Sequence, residues 1–326
     1  MGSTSGKCSS ALRLAGKTAL VTGCNTGIGL CTVEDFVRRG ARVVMACRDV
    51  EKAQRAAEDV RTRTADVEGV GSVRVVQLDL ASLASVRACA KLLLDSEPHI
   101  NLLVNNAGVM MCPELRTEDG FEMQLGTNHL GHFLFTCLLL PRIRASAPAR
   151  IVNVSSDGYK WGDINFENLN WEKNYNARVA YGQSKLANIL FTQELTKRLE
   201  AAGVTGVTTY SLHPGVVATE LGRHLDTTYF KGLRWFFRTF GKLFIITPEQ
   251  GAQTSIYCSV SEDVANESGH FYRNCKKASL SSKAQNPEKA AKLWEESVKL
   301  VNLGNWDPFT AQEVPESALS VPPKDN

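Results

Sequence analysis

The sequence predicts an α/β fold: a doubly wound parallel sheet with helices on both faces, in a single domain. Three observations predict it. Short β-branched runs alternate with longer helical periodicities from Lys17 onward, the pattern of a parallel sheet covered on both sides. No Pro/Gly/Ser-rich linker divides the 326 residues, and apolar runs recur to about residue 275, so one core is expected. A glycine-rich turn follows the first strand-like run and opens the first helical one, where such folds bind ligands.

The strand-like runs are Thr18–Val21, Arg42–Ala46, Val73–Leu78, Asn101–Val104, Arg150–Val154 and Val207–Leu212. Helical stretches lie between them at Gly29–Arg39, Asp49–Thr64, Leu83–Asp95 and Tyr181–Ala201. The expected organisation is an arm over residues 1–15, a domain over 16–306 and a tail over 307–326. The tail's Pro, Ser and acidic content predicts disorder. No solenoid-length repeat is present.

Composition removes several function classes. A net charge of +3 and the absence of a basic stripe with interleaved aromatics argue against nucleic acid. Nine scattered cysteines, none in a C-x-x-C pair, speak against zinc and against a disulfide framework, so a reducing, intracellular compartment is expected. The first residues carry no apolar signal core, and no stretch approaches the ~20 apolar residues of a spanning helix. A cytosolic chain, or one attached peripherally to endoplasmic reticulum or mitochondrion, is expected. His129 and His132 stand three apart without a third ligand in view, so no metal is expected and both read as packing or capping residues. No Gly-x-Ser-x-Gly elbow marks a hydrolase.

The chemistry begins at Thr22-Gly23-Cys24-Asn25-Thr26-Gly27-Ile28-Gly29. Glycines there allow positive φ and close approach to a pyrophosphate, and the helix N-terminus adds free N–H groups and a favourable dipole. The turn makes the fold Rossmann-type and assigns Gly23, Asn25, Thr26, Gly27, Ile28 and Gly29 to a dinucleotide. The second strand-like run ends in Cys47-Arg48-Asp49. An acid at that point suits NAD, and an Arg suits the 2′-phosphate of NADP. Asp49 stands where the next helix needs an N-cap, which leaves Arg48 for the phosphate and makes NADP(H) the expected cofactor ahead of NAD(H).

Tyr181-Gly182-Gln183-Ser184-Lys185 opens a helical stretch, and residues four apart share a helix face. A phenol ionises near pKa ~10; a neighbouring ammonium lowers that value towards the range useful for proton transfer. Tyr181 is therefore the expected acid/base and Lys185 its partner, with Lys185 also in reach of the nicotinamide ribose. Tyr272 and Lys276 repeat the spacing in strand-like sequence, where the side chains diverge. Ser155-Ser156 ends the fifth strand-like run, placed to hold a substrate oxygen beside Tyr181. Asn128 is the candidate holder of a relay water through Lys185.

With these residues in place, the chain resembles the short-chain dehydrogenase/reductases over roughly residues 16–303. Asp79-Leu80, Asn105-Asn106-Ala107-Gly108 and Pro214-Gly215 add to the likeness. The resemblance implies that Asp79, with Leu80, meets the adenine and that Asn106, Ala107 and Gly108 lie beside the cofactor. It implies too that Pro214, Gly215, Val217 and Thr219 meet its nicotinamide end, and that Ser156 rather than Ser155 is catalytic. Phrases over 105–113, 119–124, 128–134 and 184–194 resemble the retinol dehydrogenase/retinal reductase branch, which uses NADPH largely. The stretch from Ser156 to Tyr181, about twice as long as is usual in the family, carries Tyr159, Trp161, Phe166, Trp171 and Tyr175.

Residues 229–246 interleave aromatic and aliphatic side chains with basic ones, readable as a buried amphipathic helix or as a lid, about 222–248, that touches a membrane surface. Aromatic density there and in 157–180 points to a long apolar substrate. The expected reaction interconverts an apolar, retinal-type aldehyde or ketone and its alcohol by hydride transfer. A steroid or terpenoid alcohol stays open as substrate, as does a non-catalytic NADP(H)-binding regulator, and so does self-association into a homo-oligomer.

Overall fold

The computed structural model describes residues 6–217 and 246–320. Seven parallel strands and a short antiparallel edge make one sheet in the order β3-β2-β1-β4-β5-β6-β7-β8. The strands are β1 (Thr18–Thr22), β2 (Arg42–Cys47), β3 (Ser72–Gln77), β4 (Leu102–Asn105), β5 (Ala149–Val154), β6 (Val207–His213), β7 (His270–Arg273) and β8 (Lys276–Lys277). The first six match the expected runs to within a residue or two. β1, β4 and the inner strands are buried on both faces, which is why their sequences are continuously apolar rather than alternating.

Helices cover both faces. On one side α1 (Gly27–Arg38), α2 (Val50–Thr64) and α7 (Pro248–Val260) close a core around Val33, Phe36, Ala57, Met45 and Ile256. On the other, α3 (Leu83–Ser96), α5 (Gly131–Ala145), α6 (Ala177–Ala201) and α8 (Pro287–Leu300) enclose Leu93, Phe133, Leu138, Leu190 and Trp294. A short α4 (Met123–Leu125) runs through a π turn, Gly126–Leu130, into α5. The strand order reverses between β1 and β4, and the crevice beyond their carboxyl ends is the general ligand position of such sheets.

Two expectations are corrected. Helix α6 begins at Ala177 rather than Tyr181, because the Asn176 side chain accepts the backbone N–H groups of Arg178 and Val179 and caps it a turn earlier. Residues 307–320 do not run free. Phe309 is buried in the core, Arg144 donates to the carbonyls of Pro308 and Ala311, and the buried Arg87 donates to Ala318 O above a last helix, α9 (Glu316–Leu319). Few apolar residues suffice to order this segment because arginines from the domain satisfy its carbonyls. The arm is held likewise, by Arg39 at the carbonyls of Ser10 and Leu12. None of the nine cysteines forms a disulfide. Among the described residues no helix is long and apolar enough to cross a membrane, and no cluster of His, Cys, Asp or Glu has metal-binding geometry. Thr219 and the expected lid, apart from 246–248, lie outside the described residues.

Candidate active site

Most candidates within the described residues follow the carboxyl ends of strands, while Asn128 comes from the π turn and Tyr181 and Lys185 from α6. Gly23 follows β1, Arg48 follows β2, Asp79 follows β3, Asn106–Gly108 follow β4, Ser156 follows β5, and Pro214-Gly215 follow β6. The turn after β1 is built for close approach. Gly23 and Gly27 have φ of +60° and +59°. A Cβ on Gly23 would stand 2.7 Å from Ala107 Cα, and one on Gly29 2.7 Å from Cys24 Cα. Asn106 Nδ2 donates to the carbonyls of Thr22 and Gly23, holding the turn open. Thr26, at the N-cap of α1, makes no side-chain cap bond, and the first turn holds no acid. No capping side chain or first-turn acid thus competes for the leading N–H groups of α1, as an anion site requires. The turn therefore fits a dinucleotide pyrophosphate.

At the end of β2 the two neighbouring charges stand in different surroundings. Asp49 Oδ1 accepts the Lys52 N–H at 2.9 Å and caps α2. Arg48 is 65% exposed and stands only loosely by Asp79, Nε to Oδ2 4.0 Å, a contact too open to hold it. Asp79 also accepts the Ala81 N–H, and Leu80 is buried where its carbonyl backs Gly131 of α5. Asn25 and Ile28 are half-buried along the turn; Ile28 packs towards Gly251 of α7, beside Val217. Gly215, at φ +96°, closes on Ile246.

Beyond β5 the serines separate. Ser155 is buried and its hydroxyl donates to Lys185 O at 2.7 Å, so it is occupied in fixing α6. Ser156 is half-buried, accepts the Gly158 N–H, and stands close enough to Tyr181 to pull its pKa down. Lys185 lies under the Tyr181 ring, Nζ 5.8 Å from its centroid, and donates to Val154 O at 3.1 Å.

Electrostatics differ from the expectation. Burial pushes Tyr181 up to about 12, against a smaller downward pull from Ser156, and burial pushes Lys185 down to about 8. Desolvation dominates at both because both side chains are buried. Tyr181 is consequently held as a neutral phenol, the form that can give a proton. The depressed Lys185 also has a stability consequence. Its folded value lies below the unfolded ~10.5, so protonation opposes folding fully below pH 8, and the penalty fades as pH rises towards 10.5. Lys185→Met should therefore unfold at a higher temperature at pH 7, with the gain shrinking by pH 9.5, while activity falls. Melting curves at both pH values check this.

Asn128 sits in the π turn with its side chain fully engaged. Oδ1 accepts the Val109 N–H at 2.8 Å, and Nδ2 donates to Val109 O and Ser184 Oγ, both at 2.9 Å. No hydrogen bond joins it to Lys185; it holds the loop after β4 against α6. The longer segment after Ser156 lies on α6 as two 3-10 turns, Asp157–Trp161 and Phe166–Asn168. Of its five aromatics only Trp161 faces the chemistry, its ring 6.1 Å from that of Tyr181. The Tyr159 hydroxyl accepts Ser281 N–H, Tyr175 donates to Cys112 O, Phe166 lies under Lys292 and Trp171 packs on Tyr175. The second Tyr/Lys pair splits between β7, where Tyr272 bonds Glu267, and an exposed Lys276 on β8. His129 packs on Phe133 and Phe191. His132, expected as a packing or capping residue, has both its ring nitrogens hydrogen-bonded, to Thr22 and to Asn128 O. Only the spacing of His132 four residues after Asn128 could have pointed to that role.

The short chain dehydrogenase family model matches residues 17–229, from β1 through the site. The chain is a short-chain dehydrogenase. Retinol dehydrogenase 11 of Homo sapiens is 50% identical over 300 residues, spanning 92% of this chain and 90% of that protein. Retinol dehydrogenase 14 of Homo sapiens is 48% identical over 297 residues, spanning 88% and 87%. Among solved structures, a protein from Mycobacterium paratuberculosis superimposes with a TM-score of 0.69 at 36% identity, covering 89% of this chain and 95% of that one. The Pseudomonas aeruginosa RhlG/NADP complex superimposes with a TM-score of 0.61 at 26% identity, covering 79% and 94%. This short-chain dehydrogenase is an oxidoreductase acting on CH–OH donors, with a nicotinamide dinucleotide as cofactor.

Proposed function

We propose that this short-chain dehydrogenase uses NADP(H) to interconvert an apolar, retinal-type aldehyde and its alcohol. The observation that carries the cofactor choice is the division of labour after β2: Asp49 is spent on capping α2, and Arg48 is left exposed at the sheet edge. Gly23 to Gly29, with Asn106, Ala107 and Gly108, would hold the pyrophosphate and the face of the sheet. Asp79 and Leu80 would meet the adenine, and Pro214, Gly215, Val217 and Thr219 the nicotinamide end. The cofactor supplies or accepts the hydride.

The chain's own groups do the rest. Ser156 donates to the substrate oxygen and orients it. Tyr181, neutral and buried, gives that oxygen its proton as negative charge develops, and Lys185 stabilises the phenolate left behind. Asn128 keeps the loop after β4 and helix α6 in register. Trp161, 40% exposed beside Tyr181, offers an aromatic wall to a long apolar chain. The retinal-type substrate is favoured by the two retinol dehydrogenases that match nearly end to end. Attachment to a membrane through 229–246 belongs to the same proposal, since such substrates partition into lipid.

The test is turnover with NADPH and NADH on retinal, long-chain aldehydes, steroid ketones and small polar carbonyls. Retinal with NADPH should lead; activity confined to small polar carbonyls would overturn the substrate. Arg48→Asp should shift the NADPH-to-NADH ratio of kcat/KM by ~10–100-fold towards NADH, as loss of a charge-assisted phosphate contact with added repulsion implies.

A further inference from the structure

We propose that His132 is a positioning residue that ties the phosphate-binding turn to Asn128 and, through it, to Tyr181, by way of one fixed neutral tautomer. The inference rests on the reading of the site given above and names a residue that reading leaves unused.

The tautomer follows from counting protons. Thr22 Oγ1 accepts the backbone N–H of Ala107 and, shared with Val104 O, that of Asn106, each at 3.0 Å. A hydroxyl has two lone pairs and one proton. With both lone pairs taken, its proton goes to His132 Nε2, 2.8 Å away, which must then be an acceptor. The neutral ring carries its proton on Nδ1, and Nδ1 donates to Asn128 O at 3.0 Å. The other tautomer sets an N–H against a Thr22 oxygen with no lone pair to give, and a ring lone pair against a carbonyl oxygen. A protonated ring repeats the first conflict. Burial, with the charge of Lys185, also holds the ring neutral, at about 4.

The connection continues on both sides. Thr22 Oγ1 fixes Asn106, whose side chain braces the carbonyls of Thr22 and Gly23 in the turn. Asn128 Nδ2 donates to Ser184 Oγ, and Ser184 Oγ donates to Tyr181 O at 2.8 Å. One unbroken chain of buried hydrogen bonds thus runs from the turn to the backbone of the acid/base, with the imidazole as its middle link. A phenylalanine there would fill the space and break the chain twice.

Two substitutions separate the links. His132→Asn keeps an amide donor where Nδ1 stood and loses the Thr22 contact. His132→Gln reaches Nε2's place, can accept from Thr22, and loses the Asn128 contact. The measurements are NADPH dissociation constants by fluorescence titration of the protein without substrate, and single-turnover hydride-transfer rates. The expected result is crossed: the Asn variant loses ~10-fold more in NADPH affinity than in rate, and the Gln variant the reverse, each the size of one hydrogen bond. Parallel losses in both variants, or no loss in either, would overturn the proposal. In the unsubstituted protein, 15N spectra of labelled histidine should show His132 with a protonated Nδ1 and a bare Nε2; a protonated Nε2 would overturn it even if neither variant folds. Inactivity towards every aldehyde would defeat the proposed reaction and leave these spectra unaffected.

Discussion

Replacing Tyr181 by Phe should lower turnover by ~10²–10⁴-fold, the usual share of a positioned general acid, while NADPH binding changes little. The ring is 3% exposed and packed under Trp161 and over Lys185, so Phe fills its place and only the hydroxyl goes. Ser156 stays solvent-accessible and capped to Gly158, so the site should keep its shape. Steady-state kinetics with a fluorescence measurement of NADPH affinity checks both halves. Full turnover in the variant would remove Tyr181 from the mechanism, and an equal loss in NADPH affinity would make it a binding residue instead. Tyr272→Phe, in the second Tyr/Lys pair, is the control: its hydroxyl bonds Glu267 in the strand region, so turnover should stay near normal.

Gly182→Ala is expected to damage the site from one residue away. A Cβ there would lie 2.4 Å from Gly162 N, 2.9 Å from Trp161 C and 3.0 Å from Gly158 O. All three are backbone atoms and cannot swing aside. Gly162 has the same problem in reverse, its Cβ position 2.6 Å from Gln183 N. The segment after Ser156 and helix α6 therefore touch backbone to backbone through this glycine pair. An added methyl must push the segment off the helix, with an overpacking cost of about 1–3 kcal/mol, and must move Trp161 and the Ser156 turn away from Tyr181. Melting temperature should fall by several degrees and kcat/KM by more than ~10². Wild-type kinetics in the variant would show that the segment contributes nothing to the site.

The legible parts were those set by local chemistry. The strand runs could be read because buried parallel strands must be apolar on both faces. Asp49 could be read as a cap because the helix after it needs an acceptor, and that freed Arg48. The Gly23–Gly29 turn was legible because positive φ and close backbone approach leave glycine little competition. Helix α6 was placed four residues late, since its start depends on Asn176, which looks like one more polar residue in a loop. The segment at 307–320 looked disordered because the groups that satisfy it, Arg87 and Arg144, stand more than 160 residues away. The aromatics after Ser156 all looked like substrate lining; packing assigns four of them elsewhere.

By itself, then, the sequence determined the first six strands, the glycine turn and the spacing that sets Tyr181 and Lys185 on one helix face, because each is written in residues a few positions apart. Tertiary structure decided what distance along the chain conceals. It spends Ser155 on Lys185 O and leaves Ser156 at Tyr181. It also reverses the expected electrostatics: full burial holds Tyr181 as a phenol where spacing alone promised a lowered pKa. And it turns His132 from filling into the link between Thr22 and Asn128, 110 residues apart at one end and four at the other. Desolvation and hydrogen-bond partnership are set by everything packed around a group, and a linear sequence carries neither.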